Sequence, residues 1–337
     1  MKEPIPITQH NLENNTVQTV SIGCVTYNHE KFIRNTIEGF LIQKTTFPVK
    51  IVIFEDCSTD KTASLIKEYQ SKYPHIFKVF YQPENTYKKA IRQKAIEPYY
   101  EIHNQSKYIA LCEGDDYWID PLKLQKQFDF LESNPEYGLV YTEINRVNEE
   151  DEIIDEGFFK SDPASFCKSF EDYLIYVPFR APCTWLLRRS IYTERKKRYI
   201  VGDLPLLLDY VANSLIHRLE DTTTHYRVLT KSASHFISLD QTYAFMKGIY
   251  EIQMDYAKKY NVSKEVVEAI KIKHAFVSYN FAVTQHDINQ IEEANKLVIG
   301  HPYVTYKFKI IQLLSKFKIG RELVKIRLNR KLGYKHT

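Results

Sequence analysis

The stretch Tyr108-Ile109-Ala110-Leu111-Cys112-Glu113-Gly114-Asp115-Asp116-Tyr117-Trp118 decides how this chain is read. Its apolar beginning is short and runs straight into a glycine turn, the pattern of a buried strand. Three acids crowd the tip. Carboxylates at the end of such a strand stand at the rim of a sheet, where open α/β folds bind ligands. Glu113, Asp115 and Asp116 repel one another, and a hard divalent cation relieves that repulsion. Oxygen donors of this kind suit Mg²⁺ or Mn²⁺. Mg²⁺ is usually shared between one or two carboxylates and substrate phosphates, so the tip suggests a metal–diphosphate site.

Working outward, strand and helix patterns alternate. Residues 18–26, 49–54 and 76–81 are apolar and β-branched, and a fifth such run follows at 138–144. Between them, Phe32, Ile33, Ile37, Phe40 and Leu41 form a helical stripe, and Ser58-Thr59-Asp60 caps a helix carrying Ala63, Leu65 and Ile66. Polar residues 86–104 and residues 121–131 read as further helices. Strands separated by helix-length segments predict parallel βαβ units with right-handed crossovers. Residues 148–180 are less regular, 181–187 read as a strand and 204–217 as a helix. Beyond about residue 240 the pattern is wholly helical. The expected division is thus an α/β domain over 1–240 and a helical region over 241–337.

Bulk properties agree with a folded catalytic or binding protein. The chain has 337 residues, 44% of them hydrophobic, enough for a sizeable core. A net charge of +4 is too mild to argue for nucleic acid. The five cysteines are scattered, with no zinc-like spacing, and read as reduced thiols. Residues 1–15 lack a signal-peptide core, and no apolar run approaches the roughly 20 residues of a membrane span. The expected location is the cytoplasm or the inner membrane face.

Two other strand ends are polar: Cys24-Val25-Thr26-Tyr27-Asn28-His29-Glu30 and Phe54-Glu55-Asp56-Cys57-Ser58-Thr59-Asp60. Free N–H groups at the first can receive a phosphate or a base. A carboxylate at the second can accept from a ribose or a base N–H. A capped helix start is the plain alternative at the first, and helix capping by Ser58 or Asp60 at the second.

Taken in order, strand–TYNHE, strand–EDCSTD and strand–EGDDYW resemble the family 2 glycosyltransferases of the GT-A fold, over about residues 18–240. The resemblance implies a mostly parallel central sheet flanked by helices, with a helical C-terminal extension. It implies an inverting enzyme that moves a sugar from a nucleoside-diphosphate donor, most simply a UDP-sugar, to a hydroxyl of a glycan or lipid-linked acceptor. It further implies that Thr26, Tyr27, Asn28 and Glu30 line the nucleotide pocket and that Asp56 bonds the base. Asp115 would be the main ligand of Mn²⁺ or Mg²⁺, with Glu113, Gly114 and Asp116 near the ribose, sugar and metal. Glu113 departs from the usual Asp. The loop Gln82-Pro83-Glu84-Asn85 is also similar, without the glycine often found after the Asn, and adds Asn85 and Arg92 to the pocket; a solvated helix face is the alternative there.

Downstream, Thr184-Trp185-Leu186-Leu187-Arg188-Arg189-Ser190 is similar to the family's acceptor-side strand. Gly202-Asp203-Leu204-Pro205-Leu206 resembles the helix start that supplies the catalytic base. The physics agrees, since a carboxylate at a helix N-terminus stays ionised; judged alone, Asp203 reads as a cap. The run Tyr226-Arg227-Val228-Leu229-Thr230-Lys231-Ser232-Ala233-Ser234-His235 resembles a "Y-R-x-H" motif with its serine-rich loop, although Leu229 stands where the His often falls. By resemblance His235 reaches the metal or diphosphate, and Arg227, Lys231 and Ser232 neutralise charge on the diphosphate side. Trp118 reads as a core residue or a stacking platform.

The tail from 303 to 337 interleaves ten Lys and Arg with apolar residues against the single acid Glu322. This is the composition of basic amphipathic helices, which lie on an anionic membrane or pack on the catalytic domain. Nucleic acid is a poorer partner, because no binding fold precedes the tail. A nucleotidyltransferase is the second enzymatic reading, disfavoured by the absence of a glycine-rich phosphate loop after the first strand. An inactive sugar-nucleotide-binding or scaffold protein is the non-enzymatic one.

Overall fold

The computed structural model describes residues 3–10, 19–87, 89, 91–192, 197–230, 238–299 and 306–331. The chain divides into two compact units, neither of them a single stretch. One comprises Met1–Phe166, Pro178–Glu194 and Asp209–Leu229; the other comprises Cys167–Val177, Arg195–Leu208 and Thr230–Thr337.

The first unit holds all the described strands. A two-residue ladder pairs β1 (Ile5–Pro6) with β3 (Lys44–Thr45). The main sheet contains β2 (Val20–Thr26), β4 (Val49–Glu55), β5 (Phe77–Tyr81), β6 (Tyr108–Leu111), β7 (Tyr117–Trp118), β8 (Tyr137–Val147), β9 (Ile153–Asp155), β10 (Leu186–Arg188) and β11 (Leu215–Arg227). Its order is β5-β4-β2-β6-β10-β8-β11-β7, with β9 on β8. β5, β4, β2 and β6 run parallel. β10 then lies antiparallel between β6 and β8. Helices α1 (Ile33–Leu41), α2 (Thr62–Lys72), α3 (Arg92–Asn104) and α4 (Lys123–Ser133) supply the crossovers. Val49, Ile51, Val52, Ile53 and Phe54 of β4 are all fully buried, the near-continuous apolar run of a strand covered on both faces.

Two features of this topology place the acids. β2 has β4 on one side and β6 on the other, so the chain builds outward in both directions and the tips of β2 and β6 flank the topological switch point where α/β sheets take ligands. The chain then crosses to the far edge, where Trp118 and Tyr117 of β7 pair with Thr224 and His225 of β11. Trp118 is core rather than a platform: it is 1% exposed, donates from Nε1 to Cys183 O at 2.8 Å, and lies under the Lys123 ammonium. Burial brings the Lys123 pKa down to about 7.

Three elements differ from the sequence-based expectation. The helix expected over 204–217 is α6 (Asp203–Asn213), and from Leu215 the chain is the long strand β11. β11 is rich in Thr, His and charged residues, so no apolar run marked it; it is held by parallel pairing along β8. The strand expected over 181–187 is a 3-10 turn, Pro182–Thr184, followed by the short β10.

The second unit is helical: α5 (Phe170–Tyr176), the start of α6, and α7 (Leu239–Lys259), α8 (Lys264–Gln285), α9 (Ile288–Val298), α10 (Tyr306–Ser315) and α11 (Lys318–Lys331). Side-chain to backbone bonds explain why two earlier segments belong to it. Gln253 donates to Leu174 O at 2.7 Å and Tyr256 to Pro205 O at 2.9 Å. Ser238 and Ser263 cap α7 and α8 through the N–H groups of Gln241 and Val266. Phe308 of α10 and Val324 of α11 are buried against Tyr279, Ala282, Val283 and Val298, so one face of the basic tail packs on α8 and α9.

Candidate active site

The acid turn is fixed from three sides. From α1, the fully buried Thr36 hydroxyl lies 3.0 Å from Gly114 O and 2.8 Å from Asp116 O. From β2, Gly114 N donates to Val25 O, and a Cβ on Gly114 would stand 2.5 Å from Thr26 Oγ1 and 2.7 Å from His29 Nδ1. Only glycine allows that approach. From β11, Arg227 N donates to Asp116 Oδ1 at 2.8 Å and Arg227 Nε to Asp115 O at 3.0 Å.

Asp115 and Asp116, although adjacent, are treated differently. Asp116 is buried and bonded to Arg227 N and the Cys183 thiol. Its pKa is pushed well above the usual carboxylate range, first by burial and then by the charge of Asp115, against the pull of those two donors. Asp115 Oδ1 is buried with no hydrogen-bond partner among the described residues. A buried acceptor left unmatched is costly and calls for an ion or water. The donor set thus fits a divalent cation held on the protein side chiefly by Asp115. Among the described residues no three His, Cys, Asp or Glu side chains gather into a metal cluster.

The two other polar strand tips are stapled to each other. Asn28, at φ 55°, accepts Thr59 N on Oδ1 at 2.8 Å and donates its own N–H to Ser58 Oγ. Glu30 accepts Lys61 N, while Asp60 accepts Glu30 N. Asn28 and Glu30 therefore shape the rim by pairing with the EDCSTD turn, and Thr26 shares a 3.2 Å bond with His29. Tyr27 is exposed. Asp56 is buried, yet its carboxylate is already engaged: Oδ1 accepts Thr86 N and Oγ1 at 2.9 and 2.6 Å, and Oδ2 accepts Arg92 at 2.8 Å. Asn85 donates to Asp56 O at 3.1 Å. Asp56, Asn85 and Arg92 are thus brought together, with Thr86 added; its hydroxyl gave no signal in the sequence.

Arg227 is placed inward. It donates to Asp115 O, to Asn148 O at 2.8 Å and to Asp151 Oδ1 at 2.5 Å, and its guanidinium covers the Phe32 ring at 4.4 Å. Asp151 also takes Asn35 Nδ2 at 3.2 Å. The expectation that Arg227 neutralises diphosphate thus gives way to a clamp on the acid turn, because its fork is engaged by protein acceptors. Thr36, Asn35 and Asp151 escaped sequence reading, since a buried Thr and an exposed loop acid carry no motif.

Asp203 opens α6 in the second unit, with its Oδ1 accepting Leu204 N at 2.9 Å. Glu113 is exposed. His235, Lys231 and Ser232 lie outside the described residues.

This sheet, with its acid turn at the tip of β6, has the architecture of the GT-A fold. A family model described as "Glycosyl transferase family 2" matches residues 21–195, just over half of the chain, and the chain belongs to that family. It is 39% identical over 131 residues to an uncharacterized protein of Mycobacterium tuberculosis, covering 39% of this chain and 36% of that one. It is 29% identical over 182 residues to an uncharacterized glycosyltransferase of Methanocaldococcus jannaschii, covering 52% and 59%. The chain thus spans about a third to three-fifths of the length of these relatives. Among solved structures it is similar to S. aureus TarS 1-349 in complex with UDP-GlcNAc, with TM-score 0.56, 16% identity and coverage of 95% and 93%. It is also similar to the Pyrobaculum calidifontis mannosyltransferase PcManGT in complex with GDP-Man and Mn²⁺, with TM-score 0.50, 12% identity and coverage of 93% and 88%. At these identities the likeness is one of fold.

Proposed function

We propose that this protein is an inverting, metal-dependent glycosyltransferase that uses a UDP-sugar and delivers the sugar to a hydroxyl of a glycan or lipid-linked saccharide. The observation that carries the reading is the unmatched, buried Asp115 Oδ1 at the sheet's rim, beside a second acid already fixed by protein donors. Asp115 would hold Mn²⁺ or Mg²⁺, with His235 as a further ligand. The bound ion would supply Lewis-acid neutralisation of the diphosphate.

The protein's own groups do the rest. Asp56, held by Thr86 and Arg92, would form the wall of the nucleotide pocket against which the base rests. Asn85 braces that wall. Lys231 and Ser232 attend the diphosphate. Asp203, ionised at the start of α6, takes the acceptor's O–H proton. The acceptor oxygen then forms its bond to the anomeric carbon as the bond from that carbon to the diphosphate oxygen breaks, in line and with inversion.

The test is donor binding and transfer on three proteins. Wild-type chain should be stabilised against heat by UDP-sugars with Mn²⁺ and not by either alone. Asp115→Ala should lose the Mn²⁺-dependent part, and Asp203→Asn should bind donor normally while transfer falls at least about a thousandfold. Full turnover by Asp203→Asn, or unchanged metal-dependent binding by Asp115→Ala, refutes the corresponding assignment.

A further inference from the structure

The helical unit leaves one surface unaccounted for by sugar transfer. α10 and α11 bury Phe308, Ser315, Gly320 and Val324. Their opposite faces stay out. Tyr306, Lys309 and Leu313 follow one another at helical spacing on α10, all exposed, as do Ile319, Leu323 and Arg327 on α11. The connection Lys316-Phe317-Lys318-Ile319 is exposed at every residue. Its apolar members are not grazing the surface: Phe317 is 63% exposed, Ile319 78% and Tyr306 78%. The join is tight, since a Cβ on Gly320 would stand 2.1 Å from Leu314 O.

Charge tells what this face fits. Lys307, Lys309, Lys316, Lys318 and Arg327 are exposed and form no ion pair among the described residues. The one acid of the pair of helices, Glu322, is 2.8 Å from His286 Nε2, while Arg321 turns inward to Ser315 O and His286 Nδ1. The outer face is therefore cationic, with large apolar side chains set among the lysines. A nucleic acid answers the lysines but has no place for Phe317, Ile319, Leu313 and Leu323. A second copy of the same face would set lysine against lysine. An anionic bilayer answers both: headgroups pair with the ammonium groups and the acyl boundary takes the apolar side chains. Among the described residues no helix is long and apolar enough to cross a membrane, so the contact is interfacial.

We propose that the outer face of the α10–α11 hairpin, led by Phe317 and Ile319 and flanked by Lys316 and Lys318, docks the protein on an anionic lipid surface. The inference stands apart from the sugar-transfer reading, and either can fail alone.

The full chain is sedimented with vesicles of phosphatidylcholine alone and with vesicles carrying about one-third phosphatidylglycerol. Retention on the anionic vesicles should exceed that on the neutral ones at least about tenfold and weaken as salt is raised. Phe317→Ser with Ile319→Ser, and separately Lys316→Glu with Lys318→Glu, should each lower retention about tenfold or more, with thermal unfolding unchanged because these side chains are exposed. Equal retention on both vesicle types overturns the proposal. So does loss in the lysine variant alone, which is adsorption without insertion. Capture by duplex DNA in preference to vesicles, or a concentration-dependent dimer abolished by Phe317→Ser, overturns it in favour of those partners.

Discussion

Replacing Arg227 with lysine separates two roles that its sequence context left joined. A diphosphate ligand would tolerate lysine in part, since the charge survives and the fold does not depend on it. The inward guanidinium predicts otherwise. Lysine has no planar fork, so it cannot serve Asp115 O, Asn148 O and Asp151 together. At least one carbonyl is left unmatched, and a buried unmatched acceptor costs about 1–3 kcal/mol. The Asp151 pair adds little, because that carboxylate is 41% exposed and screened by water. Loss of the guanidinium from the Phe32 face adds about 1 kcal/mol. The sum is about 2–4 kcal/mol, or a fall in Tm of roughly 5–10 °C. Released from its clamp, the Asp115–Asp116 backbone should drift, and Mn²⁺-dependent stabilisation by a UDP-sugar should fall with it. Calorimetry with and without donor and Mn²⁺ reads both. An Arg227→Lys protein that melts with the wild type while losing donor affinity would refute the clamp and restore the guanidinium to the diphosphate.

Two further outcomes follow from the same geometry. Gly114→Ala sets a methyl 2.5 Å from Thr26 Oγ1 and 2.7 Å from His29 Nδ1, so the turn must move; stability should fall about 1–3 kcal/mol and transfer about a hundredfold, and an alanine variant with wild-type kcat/KM would sink this account. His103, bonded to Ser21 Oγ at 2.7 Å, is buried neutral, and burial brings its pKa down from 6.5 to about 3. The unfolded chain binds that proton first, so its contribution to stability is complete above about pH 6.5 and is lost as pH falls toward 3, by about 1.4 kcal/mol per unit. Denaturation of His103→Gln across that window should show a shallower acid limb; an unchanged limb would place the acid sensitivity elsewhere.

Much of this was legible in the sequence. The parallel half of the sheet announced itself through apolar, β-branched runs capped by polar tips, because strands buried on both faces have no other composition open to them. Asp115 was singled out because acids crowd at a strand end, and its Oδ1 is buried without a hydrogen-bond partner among the described residues. β11 was not. Its residues His217-Arg218-Leu219-Glu220-Asp221-Thr222 look like a loop, and pairing with β8, which no local pattern encodes, makes them a strand. The placement of Arg227 was hidden for the same reason, since its orientation depends on Asn148 and Asp151, about 80 residues away in the chain. Asn28 and Glu30 were expected to line the nucleotide pocket; their stapling to Thr59 and Lys61, which the sequence did not announce, depends on the level register that sets Thr26 beside Glu55.

The grip of Arg227 on the acid turn also bears on biosynthesis. A nascent chain that has reached β10 already contains every acid of the turn, the Thr36 brace and the stapled tips. It still lacks the strand whose backbone N–H steadies Asp116 and whose side chain holds Asp115. The half-made protein thus holds those carboxylates by two of their three anchors, and the last described strand of the sheet to leave the ribosome supplies the third.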